Sequence, residues 1–282
     1  MKKFKNILMV TMAGALVVAM AGCSSKSVDD VLTEAEQKLN AAKSMSCVMD
    51  MEMNMTSGDQ TVETLSKINM DMVSEPLLMK IDMSTDMGDQ GSMNVQMYGE
   101  QVDESLLMYV NNGDGNWIKQ STSLEGLSQY NAQQTMSSYI NYGENFKEAG
   151  TEKINDKDAV KYTGVIPKDS LNKALEETGA LTQVQSMTSG LDEETIKAMY
   201  SDLSDLPISI WVEKDSGYPV KYEMDMTEMT QKMMNSLMQS MGATEEEITI
   251  DKMNIVMVIT GIDNVSEITI PEEAKAASEV TY

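Results

Sequence analysis

The chain has 282 residues, with 45 acidic side chains against 21 basic ones, a formal net charge of −24, and no histidine. That balance repels nucleic acid and anionic headgroups, and the missing imidazole removes the usual general base and the commonest transition-metal ligand. With 29 methionines against two tryptophans and two phenylalanines, the apolar interior is filled largely by flexible thioethers.

Lys2, Lys3 and Lys5 precede an apolar run, Ile7 to Met20, that ends in Ala21-Gly22-Cys23. A basic start, an apolar stretch short for a bilayer span and small residues at a cleavage point make residues 1–22 a secretory signal. Cys23 directly after Ala-Gly resembles the lipobox of bacterial lipoproteins, with Met20 where that motif usually carries Leu. The resemblance implies cleavage before Cys23, a diacylglycerol with palmitate-like chains on its sulfur, and a place on the extracytoplasmic face of the cell membrane. Loss of residues 1–22, which hold three lysines and no acid, leaves 260 residues with charge −27. Attachment then rests on the lipid, because no basic patch is at hand. Cys47 becomes the only thiol, so no intrachain disulfide is available.

Residues 23–26 form a polar tether into one predicted domain, 27–273. Ser27, three residues before Asp30, has capping-box spacing. Val28, Val31, Leu32, Ala35, Leu39 and Ala42 then recur at helical spacing up to about Ser44. From Cys47 the period becomes two. Cys47, Met49, Met51, Met53 and Met55 share one face, and Asp50, Glu52 and Asn54 the other, as in an antiparallel strand with one wet side. The alternation recurs in Ile68, Met70 and Met72, in Leu77, Met79, Ile81 and Met83, in Met93, Val95 and Met97, and in Leu106, Met108 and Val110. Asn111 to Asn116 reads as a hairpin loop into Trp117 to Gln120.

A helix is expected from Leu124 to Tyr142, then strands Glu148 to Ile154 and Ala159 to Ile166 about a turn at Asn155 to Asp158. Short helices follow, one around Leu171 ending at Gly179 and one from Asp192 to about Leu203. Ile208 to Val212 opens a hairpin turned at Asp215-Ser216-Gly217 and continued by Val220 to Met226. Thr227 to Met241 reads as a methionine-rich helix, Met253 to Ile259 as a long strand and Val265 to Ile270 as a short one. Residues 274–282 read as a flexible tail.

Three segments carry a further likeness: Lys153 to Gly164 (KINDKDAVKYTG), Ile208 to Tyr222 (ISIWVEKDSGYPVKY) and Val265 to Glu272 (VSEITIPE). With the lipobox, the first helix and the meander, they resemble the LolA/LppX-type half-barrel lipoproteins, in particular a Gram-positive lipoprotein family of that shape. The resemblance implies an α+β fold: a curved antiparallel sheet, an incomplete barrel, with helices covering the concave face over a cavity that holds acyl chains in characterised relatives. Candidate lining residues are Met49, Met51, Met53, Met55, Met70, Met72, Met79 and Met83 on the strands, and Met229, Met233, Leu237 and Met241 on a covering helix.

Methionine at alternate strand positions suits a plain core, a deformable apolar cavity, or a Cu(I) site built of thioethers. No Gly-Xaa-Ser-Xaa-Gly elbow, phosphate-cradling loop, His-Glu-Xaa-Xaa-His or Cys-Xaa-Xaa-Cys occurs, so no catalytic residue, metal or cofactor is assigned. The expected partners are the membrane, through Cys23, and a lipid or other apolar small molecule. An interaction module that contacts a cell-envelope protein without cargo is the alternative, with Cu(I) buffering a third reading.

Overall fold

The computed structural model describes residues 26–123, 132–177, 203–240 and 248–279. Eleven strands make one antiparallel sheet: β1 Ser44–Ser57, β2 Gln60–Ser74, β3 Leu77–Asp86, β4 Ser92–Val102, β5 Ser105–Asn111, β6 Trp117–Ser123, β7 Glu144–Ile154, β8 Lys157–Ile166, β9 Leu206–Glu213, β10 Pro219–Asp225 and β11 Ile248–Ile262. The order is β6-β5-β4-β3-β2-β1-β11-β10-β9-β8-β7. Two meanders thus grow outward from a seam where the first strand pairs with the last, and the sheet is curved without closing into a barrel.

The described helices are α1 Val28–Ala41, α2 Ala132–Tyr142, α3 Lys168–Glu177, α4 Thr227–Ser240 and α5 Glu272–Lys275. α1 starts as its sequence predicts: Ser27 Oγ accepts from the Asp30 amide, and Asp30 returns a carboxylate oxygen to the Ser27 amide. Its stripe Leu32, Ala35 and Leu39 is buried. Past its end, Asp263 at φ +56° offers Oδ1 to the amides of Lys43 and Ser44, which fixes the turn into β1. α2 packs beside α1, with Ser137 Oγ donating to Asn40 Oδ1 at 2.6 Å and Asn141 Nδ2 to Glu36 Oε1 at 2.9 Å. Leu32, Ala35 and Leu39 of α1 and Met136 and Ile140 of α2 join Met45, Cys47, Met72, Met79, Ile210, Tyr222 and Met257 in the main core. The two helices therefore lie on the apolar face of the sheet.

Several features differ from the sequence reading. The predicted helix over 124–142 is described only as α2, and the one over 192–203 lies almost wholly outside the described residues. Val265 to Ile270 forms no strand; Ile268, Ile270 and Ala274 instead pack on Tyr98 and Tyr109, making a smaller core on the opposite face. Side-chain contact, not a backbone ladder, is what the alternation of that segment encodes. The expected tail from 274 is docked as far as Glu279: Ala274 is fully buried, and the Lys119 amide donates to the Ser278 carbonyl beside a Lys119–Glu279 bridge on the β6 edge. The other edge, β7, is bulged, exposed and charged, features that discourage edge-to-edge pairing. Phe146 lies over Gly164 of β8, where a side chain on the glycine would collide with the ring.

Candidate functional site

Residues directly opposite in an antiparallel pair share a face, so the register fixes which side chains come together. Met49, Met51, Met53 and Met55 stand opposite Ile68, Ser66, Thr64 and Val62 of β2, and opposite Met257, Ile255, Met253 and Ile250 of β11. Ile68, Met70 and Met72 in turn oppose Met83, Ile81 and Met79 of β3. All eight strand methionines predicted from the alternation therefore occupy one side of the sheet, the side of the main core.

That side has two halves. Towards α1 and α2, Met72 and Met79 are buried with Met45 and Cys47, and Met49 and Met70 pack against them partly exposed. Gly99 sits between Met79 and Met108, its ladder partners, and the missing side chain is the space their thioethers take up. Towards the hairpin tips, Met51, Met53, Met55, Met83 and Met253 continue the face beyond that core, each partly exposed, and Met93 is 41% exposed. A small polar notch interrupts this second half. Ser66 Oγ and Thr85 Oγ1 lie 2.9 Å apart, with Thr64 next in phase along β2. The sequence reading missed these hydroxyls, although Thr64 and Ser66 fall in the same alternation as Ile68 and Met70.

The methionine-rich helix has a role that its sequence did not announce. β10 pairs with β11 only over Asn254 to Val258, leaving the earlier part of that β11 edge without a strand partner. α4 fills the gap: Thr227 Oγ1 accepts from the Met253 amide, Gln231 Oε1 from the Ile250 amide, and Gln231 Nε2 donates to the Ile248 carbonyl. Met229 is buried, Met233 and Leu237 are partly buried, and Met241 lies outside the described residues, as does Cys23. The informative signals were two polar residues, Thr227 and Gln231, among the methionines.

Electrostatics follow the same division. Burial, with the Asp71 charge as a second cause, pushes the Cys47 thiol up to about 12. Tyr222, fully buried on the same side, has a hydroxyl with no hydrogen-bond partner among the described residues, and burial raises it far above the ordinary phenol range. The carboxylates sit on the opposite face as expected, where Asp50 pairs with Lys67 at 3.3 Å and Glu52 with Lys252 at 2.7 Å. Asn111 and Asp114 accept from the amides of Gly113 and Asn116, so the 111–116 loop is a tight hairpin. Among the described residues, no group of three or more Cys, Asp or Glu side chains forms a metal-binding cluster, and no described helix is long and apolar enough to cross a membrane.

The chain is similar in structure to Mycobacterium tuberculosis lipoprotein LppX, at 15% identity and TM-score 0.45, covering 86% of this chain and 100% of that one. It is similar to LprF from Mycobacterium bovis, at 10% identity and TM-score 0.47, covering 87% and 96%. A DUF1329 family protein from Desulfovibrio piger follows at 7% identity and TM-score 0.24, covering 86% and 93%. Comparison with curated proteins returns no match. A family model, described as a family of unknown function (DUF6612), matches residues 27–279.

Proposed function

The chain belongs to the DUF6612 family of unknown function, and we propose that it is a non-catalytic lipoprotein, held at the extracytoplasmic face of the cell membrane by a diacylglycerol on Cys23, that binds an acyl chain or similar apolar molecule on its methionine face. The observation that carries this reading is the half-buried continuation of that face past the helices: Met51, Met53, Met55, Met83 and Met253 in register, beside the hydroxyls of Ser66 and Thr85. Unbranched thioethers re-pack around ligands of varied shape at low strain. Each methylene removed from water contributes about 0.8 kcal/mol, so an acyl chain covering about ten of them supplies ~8 kcal/mol before the cost of association. The hydroxyl notch suits the polar end of such a ligand.

Binding of a fluorescent fatty-acid analogue to the purified lipoprotein tests the reading. Saturable binding is expected, weakened about tenfold or more by Met53→Gln with Met55→Gln, since each substitution puts a carboxamide where the chain must desolvate. Binding unchanged in that double variant contradicts the site. The filled half of the face under α1 and α2 favours a second reading, an envelope interaction module without cargo. Its expected signature is one stoichiometric protein partner recovered with no bound lipid.

A further inference from the structure

The polar face of the sheet carries a feature that the apolar-ligand reading does not use. Two grooves, with volumes of about 470 and 410 Å³, open there and join at Lys67 and Ser84. Ladder pairing lines their residues up in rows across the strands. One row runs Asn69, Asp82, Gln96, Asn111 and then Trp117 on β6. A second runs Val256, Asp50, Lys67, Ser84 and Asn94. At roughly 4.8 Å per strand, the first row is about 19 Å long.

We propose that this groove binds an uncharged glycan chain. Charge selects the class of ligand. In a chain of net charge −24, Lys67, which lines both grooves, pairs with Asp50 at 3.3 Å, and on the same face Lys80 pairs with Asp82 and Lys252 with Glu52, each at 2.7 Å. An anionic polymer is repelled by the net charge and meets only the paired Lys67 in the groove lining, while of the lining carboxylates Asp50, Glu52 and Asp82 are paired with lysines and Asp86 accepts from the Gly88 amide. What is left open is neutral hydrogen-bonding capacity. The side chains of Asn69, Ser84, Asn94 and Asn254 make no hydrogen bond among the described residues, and Gln96 uses only its amino group, donating to Asp82. Carboxamides and hydroxyls that offer donor and acceptor together match the hydroxyls of a sugar. Apolar surface for the C–H faces of the rings lies within reach: Leu65, 51% exposed, lines one groove, and Trp117, tilted against Tyr98 at 5.8 Å, ends the first row. This is a different surface from the methionine face, so the protein carries two ligand classes on the two sides of one sheet.

The test uses the full lipoprotein in a sugar-free zwitterionic detergent, probed with an array of short neutral oligosaccharides and with sulfated and sialylated comparators. Saturable binding to neutral glycans is expected, weakened about tenfold or more in the Asn69→Ala, Asn94→Ala double variant through loss of two ligand hydrogen bonds. Both side chains are exposed on strand surfaces, and the variant is expected to melt with the parent and to bind the fluorescent fatty acid as the parent does. Trp117→Ala is expected to reduce glycan binding as well. Absence of binding to every neutral glycan, preference for the charged comparators, or binding indifferent to the asparagine pair overturns the proposal and leaves the apolar-ligand reading untouched.

Discussion

Cys47 shows how burial on the apolar face sets the reactivity of a side chain. Its thiol is 3% exposed on the apolar face, and burial raises its pKa from 9.0 to about 12. A raised pKa means that folding favours the neutral thiol. Its contribution is fully present below about pH 9 and is lost as pH rises towards 12. The native protein is therefore expected to resist alkylation by iodoacetamide at pH 8 and to react only when urea unfolds it. Labelling at equal rates in both states contradicts the assignment. The methionines separate in the same way. Met45, Met72 and Met79 are at most 2% exposed, whereas Met93 is 41% exposed, and oxidation follows access to the sulfur. Dilute hydrogen peroxide, followed by peptide mass mapping, is expected to convert Met93 to sulfoxide first, with the buried three oxidised last. Early oxidation of Met72 or Met79 shows that the core beneath α1 and α2 is open.

Elements are shaped by where backbone hydrogen bonds and apolar stripes find partners. The capping box of α1 was fully legible, because Ser27 and Asp30 act within one turn and need no distant contact. Ser27→Ala is expected to lower stability by about 1 kcal/mol in a urea titration at pH 7. Hydrogen bonds from the Ser27 hydroxyl and amide lower the Asp30 pKa below 3.8. A depressed carboxylate contributes above its unfolded value and loses that contribution as pH falls through the folded one. The difference between parent and Ser27→Ala should thus shrink on acidification below about pH 4, and a difference that grows there contradicts the cap. α4 was legible as a helix but not in its place. Its ends follow from local spacing, whereas its docking depends on β10 stopping short of β11, and no pattern inside residues 227–240 records that. The same reason explains residues 265–270, whose alternation reflects packing onto Tyr98 and Tyr109 with no ladder formed.

For the molecule as a whole, the period of two made the methionine face readable, since alternation alone decides which side chains share a side of a strand. Which strands become neighbours was not readable. The β1–β11 seam joins residues about two hundred positions apart, and only tertiary packing selects it. The gradient from buried Met72 to half-exposed Met53 was hidden too, because it depends on how far α1 and α2 reach. Yet that gradient carries the functional account. Its most direct test is mass spectrometry of the protein purified from the membrane fraction of its native cells, with non-covalent lipid extracted and quantified apart from the diacylglycerol proposed on Cys23. A stoichiometric acyl-chain lipid is expected with the parent protein and is lost in the Met53→Gln, Met55→Gln variant. A parent protein that yields no such lipid and binds no fatty-acid analogue contradicts the lipid-binding reading.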